Sequence, residues 1–276
     1  MGISGSSVRY VAVPNRDERL KARLLEVVRP GLGYRGAWAM LRVEFAPLNP
    51  KRVHRLWKEL RLNVRPKVRK RRKGMPMPDR PTAPGQLWSL DFVHDACLNG
   101  TKLKILAVVD EFTRECLALE AHTSIKASKV RSILASLFAS RGKPKYLRSD
   151  NGPEFVAHSL TIWLALSGTE SRFIKPGSPW QNGIVESFNG KLRAEFLNAE
   201  AFHNLAEAQV KLRIFQRFYN EERPHSSLGY LTPSTYRSIA QESKNKEELS
   251  SSECSSDWGQ VSIEKKYRTK NANSAT

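Results

Sequence analysis

The body of this chain is expected to adopt an α/β fold, a mixed five-stranded sheet flanked by helices, behind a small all-α unit of helix-turn-helix type. Three observations predict it. Between residues 86 and 175 the periodicity gives three strands in succession and then alternates strand with helix, an order that builds a mixed sheet covered on both faces. Upstream, short apolar stripes of helical spacing stand between turn signals. Charge divides the chain at the same place: residues 1–73 hold 20 Lys and Arg against 5 Asp and Glu, and the remaining 203 hold 26 against 22.

The total bounds the function class. The chain has 276 residues, 40% of them hydrophobic, enough for one substantial core and a smaller domain. A net charge of +19 calls for a polyanionic partner, nucleic acid or a membrane surface. No apolar run approaches the ~18–20 residues of a membrane span and no signal-peptide core opens the chain, which makes the membrane the weaker explanation. Cys97, Cys116 and Cys254 have neither disulfide nor zinc spacing and read as reduced thiols of a cytosolic protein.

Taken in order, residues 1–64 form the helical, DNA-binding region. A first helix over 15–29 is capped by Asn15, buries Leu20, Leu24, Val27 and Val28, and stops at Pro30-Gly31. A second carries Tyr34, Ala37, Trp38 and Leu41. A third starts at Asn49-Pro50, with Val53, Leu56, Trp57 and Leu60 inward and Lys51, Arg52, Arg55, Lys58 and Arg61 outward, as suits a helix laid on DNA. Residues 65–84 are a linker: seven of the nine residues Arg65–Lys73 are basic, among them Arg69, Lys70, Arg71 and Arg72, and four prolines follow. Such a run tracks phosphates without reading bases.

Residues 85–200 are the sheet-forming core. Gln86–His94 alternates, with Leu87, Ser89, Asp91 and Val93 on one face and Trp88, Leu90 and Phe92 on the other. Asn99-Gly100 turns the chain into strands at 103–110 and 114–121. A helix over 125–140, a strand at 145–149, a helix over 153–166, a strand at 170–175 and a helix bearing Glu186 complete it. Residues 201–238 are a helical extension, whose helix over 205–219 opens with Asn204 and Glu207 at capping-box spacing. Residues 239–276 are a polar tail expected to be disordered.

Three carboxylates carry the chemistry. Asp91 lies inside a core strand, where a charge is costly unless it serves something. Asp150 precedes an Asn-Gly-Pro turn. Glu186 follows after 35 intervening residues, on a helix whose polar face also holds Asn182, Asn189 and Arg193. Brought together, their charges repel, and hard oxygen donors without His or Cys favour Mg²⁺ or Mn²⁺. Two such ions suit an in-line phosphoryl displacement with water or a 3′-hydroxyl as attacker. Asp110 and Glu111 are strand-end acids of the ordinary kind.

These residues resemble a known family. Trp88–Phe92, Val109–Arg114, Ser149–Phe155, Gln181–Asn189 and Tyr219–His225 with Leu228–Tyr230 look like the integrase core of insertion-sequence transposases of the second-frame, OrfB type, within the retroviral-integrase superfamily with its ribonuclease-H-like fold. The likeness spans about residues 16–235. It implies a DDE-type polynucleotidyl transferase in which Asp91, Asp150 and Glu186 are catalytic and hold two metal ions. It also sets Asn182, Asn189, Lys191 and Arg193 along the DNA end. Asp110 and Arg114 read as structural, an ion-paired strand end near the site, and His225 as touching either the core or DNA. The implied partners are terminal-repeat and target DNA, a second copy of the chain and an upstream-frame product, in the nucleoid-associated cytoplasm of a bacterium. The competing functions are a ribonuclease-H-like or junction-cutting nuclease and an inactive DNA-binding remnant.

Overall fold

The structure, a computed structural model, describes residues 17–63, 80–175 and 177–244. The cap at Asn15, the basic linker residues Arg69, Lys70, Arg71 and Arg72, and the tail from 245 onward lie outside the described residues.

Three helices make the first unit: α1 (Glu18–Val27), α2 (Tyr34–Leu41) and α3 (Pro50–Glu59). Leu20 and Leu24 of α1 close onto Ala37 and Leu41 of α2 and onto Val53, Leu56 and Trp57 of α3, so the apolar stripes form one small core. Val27 and Val28, expected to be fully buried, are half-buried at its rim. The start of α3 follows from its sequence: the Asn49 side chain accepts the Lys51 N–H at 2.8 Å, and Pro50 occupies the first turn, where no donor is missed. Asn49→Ala is therefore expected to cost about 1 kcal/mol in chemical denaturation, and Asn49→Ser, which restores an acceptor, to keep most of it.

The sheet comprises β1 (Leu87–Ala96), β2 (Lys102–Asp110), β3 (Cys116–His122), β4 (Tyr146–Ser149) and β5 (Glu170–Phe173), in the order β3-β2-β1-β4-β5. β1 pairs antiparallel with β2 and parallel with β4. Alternation along β1 sends Trp88 and Leu90 to one face, where α4 (Ala127–Arg141) and α6 (His158–Leu166) pack, and Val93 to the other. That second face is covered by α7 (Gly183–Leu192) and α8 (Leu205–Glu221) through Val185, Phe188, Leu212 and Phe215. As expected, the Asn204 side chain caps α8 by accepting the Glu207 N–H at 2.9 Å; Glu207 in turn takes the N–H of His203, one residue before the cap.

The structure departs from the sequence reading at several joints, each for a local reason. The helix expected over 153–166 is two, α5 (Pro153–Val156) and α6, because Ala157 is extended between them. The helix bearing Glu186 is a composite: a 3-10 turn at Pro179–Asn182, α7, then a π-turn at Arg193–Leu197. The third strand begins at Cys116 rather than 114, because the Asp110 carboxylate ties a turn over the intervening residues. Its Oδ1 accepts the N–H groups of Phe112 and Thr113 at 2.8 and 2.9 Å, and Arg114 takes a positive φ of 64°. Asp110 thus caps backbone instead of pairing with Arg114. At the C-terminal side, a helix over 233–244 runs past residue 239, where a disordered tail was expected to begin.

The first unit rests on the second. The Arg29 guanidinium lies 4.4 Å from the Phe218 ring centre and Trp38 meets Tyr230 edge-on at 5.5 Å, so α1 and α2 are held against α8 and the loop after it.

Candidate active site

The register of β1 and β4 brings the aspartates together. Ser89 is paired with Arg148 in the parallel ladder, so their side chains leave the sheet on the same face. Two residues further along each chain, with the same alternation, stand Asp91 and Asp150. Asp150 closes a short turn in which its Oδ1 accepts the Gly152 N–H at 3.1 Å. A Cβ added at Gly152 would stand 3.1 Å from that same oxygen, which explains the glycine. The next turn is pinned onto the sheet: Phe155 stacks on Phe92 at 4.7 Å, and Glu154 pairs with Lys104, whose ammonium lies over Phe92.

Helix α7 supplies the third carboxylate by lying along β1. The Asn182 amide donates to the Leu90 carbonyl at 3.2 Å, Asn189 donates to Asp91 Oδ2 at 2.8 Å, and Arg193 donates to the His94 carbonyl at 2.8 Å. Glu186 belongs to the same row, one turn from each asparagine, with an exposed side chain. Burial pushes the Asp91 carboxyl up to about 6, against the pull of the Phe92 N–H, and the negative charges of Asp150 and Glu186 push it the same way. The three carboxylates therefore stand in one another's field. Among the described residues, no three His, Cys, Asp or Glu side chains converge tightly enough to grip an ion as they stand.

The residues expected along DNA separate into groups. Asn182 is 3% exposed and turned into the sheet, Asn189 is occupied with Asp91, and Arg193 is exposed at the end of the row. Lys191 points elsewhere: five residues beyond Glu186, it lies on another flank of α7, donating to the Ser187 hydroxyl at 2.9 Å. Arg52 and Arg55 both pair with Asp17, the residue that precedes α1, with the Arg55 side chain 64% exposed.

Sequence reasoning missed the network beneath the aspartates. Arg148 donates to both oxygens of Glu111 at 2.8 and 2.9 Å, Ser89 donates to the same carboxylate, and both charged side chains are almost fully buried. Read as an ordinary strand-end acid, Glu111 in fact locks β1 to β4 two residues before Asp91 and Asp150. Only the Ser89–Arg148 register could have revealed it.

His225 belongs to the core: it is 3% exposed and packs edge-on against Tyr219 at 4.6 Å. Burial holds its imidazole down to about 3, and the facing charges of Arg223, Lys191 and Arg114 add to that. The folded ring stays neutral while an unfolded one, near 6.5, takes a proton, so stability is complete above pH 6.5 and is lost as pH falls toward 3. About 2 kcal/mol should disappear between pH 6.5 and 4.5, and His225→Gln should flatten that part of the pH profile in denaturant titrations.

Comparison with known proteins gives the family. Integrase core domain models match residues 81–179 and 167–233. An insertion element IS407 protein of 31.7 kDa from Burkholderia multivorans is 41% identical over 244 residues, covering 86% of this chain and 87% of its own length. The chain belongs to the insertion-sequence transposases with an integrase core. A further relative of the transposase, the transposase InsD for insertion element IS2D from Escherichia coli strain K12, is 28% identical over 228 residues, 75% of this chain and 73% of its own. A simian T-cell lymphotropic virus intasome structure superposes with a TM-score of 0.52 at 18% identity, covering 72% of the transposase and 70% of that chain, which shows the shared ribonuclease-H-like fold. Cleavage and transfer of DNA strands is the general activity of this family, and among the transposase's described residues no helix is long and apolar enough to cross a membrane.

Proposed function

We propose that Asp91, Asp150 and Glu186 are the catalytic carboxylates of a DDE-type transposase and together hold two Mg²⁺ or Mn²⁺ ions. One observation carries this: α7 lies along β1 so that Glu186 stands between Asn182 and Asn189, whose amides are bonded to Leu90 and to Asp91 itself. The donor set fits such ions, since all its atoms are hard oxygens and the Asp91 carboxyl feels the uncompensated charge of the other two. Bound there, the ions would lower the pKa of the attacking oxygen and stabilise the leaving one.

The protein's own part is orientation. The Phe92 N–H and the Asn189 amide each hold one oxygen of Asp91, and the Gly152 N–H holds Asp150, so two carboxylates are aimed before any ligand arrives. Glu186, exposed on its helix, has the rotamer freedom to close the set. Water is the attacker at the element ends, and the freed 3′-hydroxyl then attacks target DNA. Arg193 and the basic linker including Arg69, Lys70, Arg71 and Arg72 contact phosphates, and Arg52 and Arg55 do so once DNA displaces Asp17. Holding two element ends requires at least two copies of the chain in the nucleoid, and an upstream-frame product would add recognition of the terminal repeats.

The test is strand transfer on duplexes carrying the element's ends. Joined products are expected with Mg²⁺ or Mn²⁺ and none with chelator; joining that survives chelation would overturn the reading. Cutting of RNA–DNA hybrids without joining would select the nuclease instead.

A further inference from the structure

Behind the carboxylate row, α7 has a second working flank. Ser187 and Lys191 line a cavity of about 150 Å³ whose floor is Arg114, Tyr219 and His225 and whose far lip is Ser227. A water molecule takes ~30 Å³, so the cavity has room for several waters or one tetrahedral oxyanion.

Its polar groups are unusual. Arg114 sits in the tight turn after β2, and its Nε and Nη1 atoms are buried without a hydrogen-bond partner. The acids beside it are committed elsewhere: Asp110 accepts the N–H groups of Gly85, Phe112 and Thr113, and Glu111 is bound to Arg148 and Ser89. Arg223, the next cation along the loop, is matched by Glu195 at 2.6 Å. His225, almost fully buried, leaves its Nε2 without a partner. As a neutral ring bonded to the Tyr219 backbone it presents that nitrogen as an acceptor, to be met by a serine hydroxyl or a bridging water and not by the anion itself. The Lys191 ammonium stands at the mouth, on the Ser187 hydroxyl and carbonyl, and Ser187 and Ser227 are exposed.

A guanidinium with two buried, unmatched donors is costly to retain, because both desolvation and lost hydrogen bonds count against it. Nε–H and Nη1 lie on different edges of the guanidinium, so an oxyanion would satisfy one of them together with Nη2, in the planar fork that arginine offers to phosphate. The serine hydroxyls and the ammonium at the mouth add donors of the same kind. We propose that this cavity is a phosphate-binding site that seats one backbone phosphodiester of the DNA held along α7. It rests on the reading that DNA passes the α7 row, since Glu186 and Ser187 are adjacent on that helix.

Two measurements separate the pocket from that reading. Without DNA, thermal unfolding in inorganic phosphate is compared with chloride at equal ionic strength. A saturable rise in Tm is expected for the wild type and not for Arg114→Gln. With DNA, anisotropy of an end duplex is followed through a salt series. Arg114→Gln and Lys191→Gln are each expected to reduce the slope of log K against log salt by about one. Should Arg114→Gln fail to fold, Ser227→Tyr, which plugs the exposed lip, serves both arms. No phosphate response and an unchanged slope would overturn the site. A phosphate response with an unchanged slope would overturn the DNA source and leave a site for a free anion. Wild-type protein that binds no duplex would sink the DNA reading of α7, while the phosphate arm still decides the pocket.

Discussion

Asp91→Asn, Asp150→Asn and Glu186→Gln are each expected to cut strand transfer by about 10³-fold or more, the order of loss when one group serving transition-state charge is removed. The isosteric amides keep the shape and most of the local bonds: an Asn at position 150 still offers an oxygen to the Gly152 N–H, while one at 91 can serve either Asn189 or the Phe92 N–H but not both. Lost activity is therefore separable from lost fold. Asp91→Asn carries a further signature. The carboxyl at 91 is pushed up to about 6 by burial and by its acidic neighbours, so at pH 7–8 the folded protein bears a charge it disfavours. Without metal, Asp91→Asn should raise Tm, and Mg²⁺ should stabilise wild type but not the variant. Unchanged strand transfer in all three variants would sink the assignment of the triad.

Arg148→Met is the second large effect, on stability first and on activity through it. It strands the Glu111 carboxylate in a site where both side chains are at most 5% exposed. Removing one partner of such a pair costs about 3–5 kcal/mol. Burial already raises the Glu111 carboxyl despite the Ser89 hydroxyl and the Arg148 guanidinium, so the stranded acid will take up a proton rather than stay charged. Replacing both partners, as in Arg148→Met with Glu111→Leu, should recover most of the loss in denaturant titrations. Activity need not return with stability in the double variant, because the pair also fixes β1 against β4 just before the two aspartates. If the single variant lost less than about 1 kcal/mol, the pair would be no more than a surface contact.

Much of this was legible in the residues. The three-strand meander, the alternating elements after it and the three carboxylates were read from period, turn signals and spacing, all local properties that burial on one face imprints on a chain. The Asn49-Pro50 cap is the same kind of signal and appears as written. The joints were less legible. Ala157 breaks a helix that periodicity carries straight through, and the Asp110 turn delays β3 because a side chain captures the backbone donors.

What the sequence alone determined, then, was the set of elements, because amphipathic period is written residue by residue; the three acids we propose as catalytic were singled out in it by a charge inside a core strand, a turn and a spacing. Tertiary structure alone decided which polar residues face what. Register put Ser89 beside Arg148 and so Asp91 near Asp150. The path of α7 across β1 turned Asn182 inward and left Glu186 exposed, and the angle around that helix sent Lys191 to a different pocket from Glu186. Such choices depend on contacts between residues far apart in the chain, Ser89 with Arg148 and Asn182 with Leu90, 92 positions apart, and no local pattern encodes them.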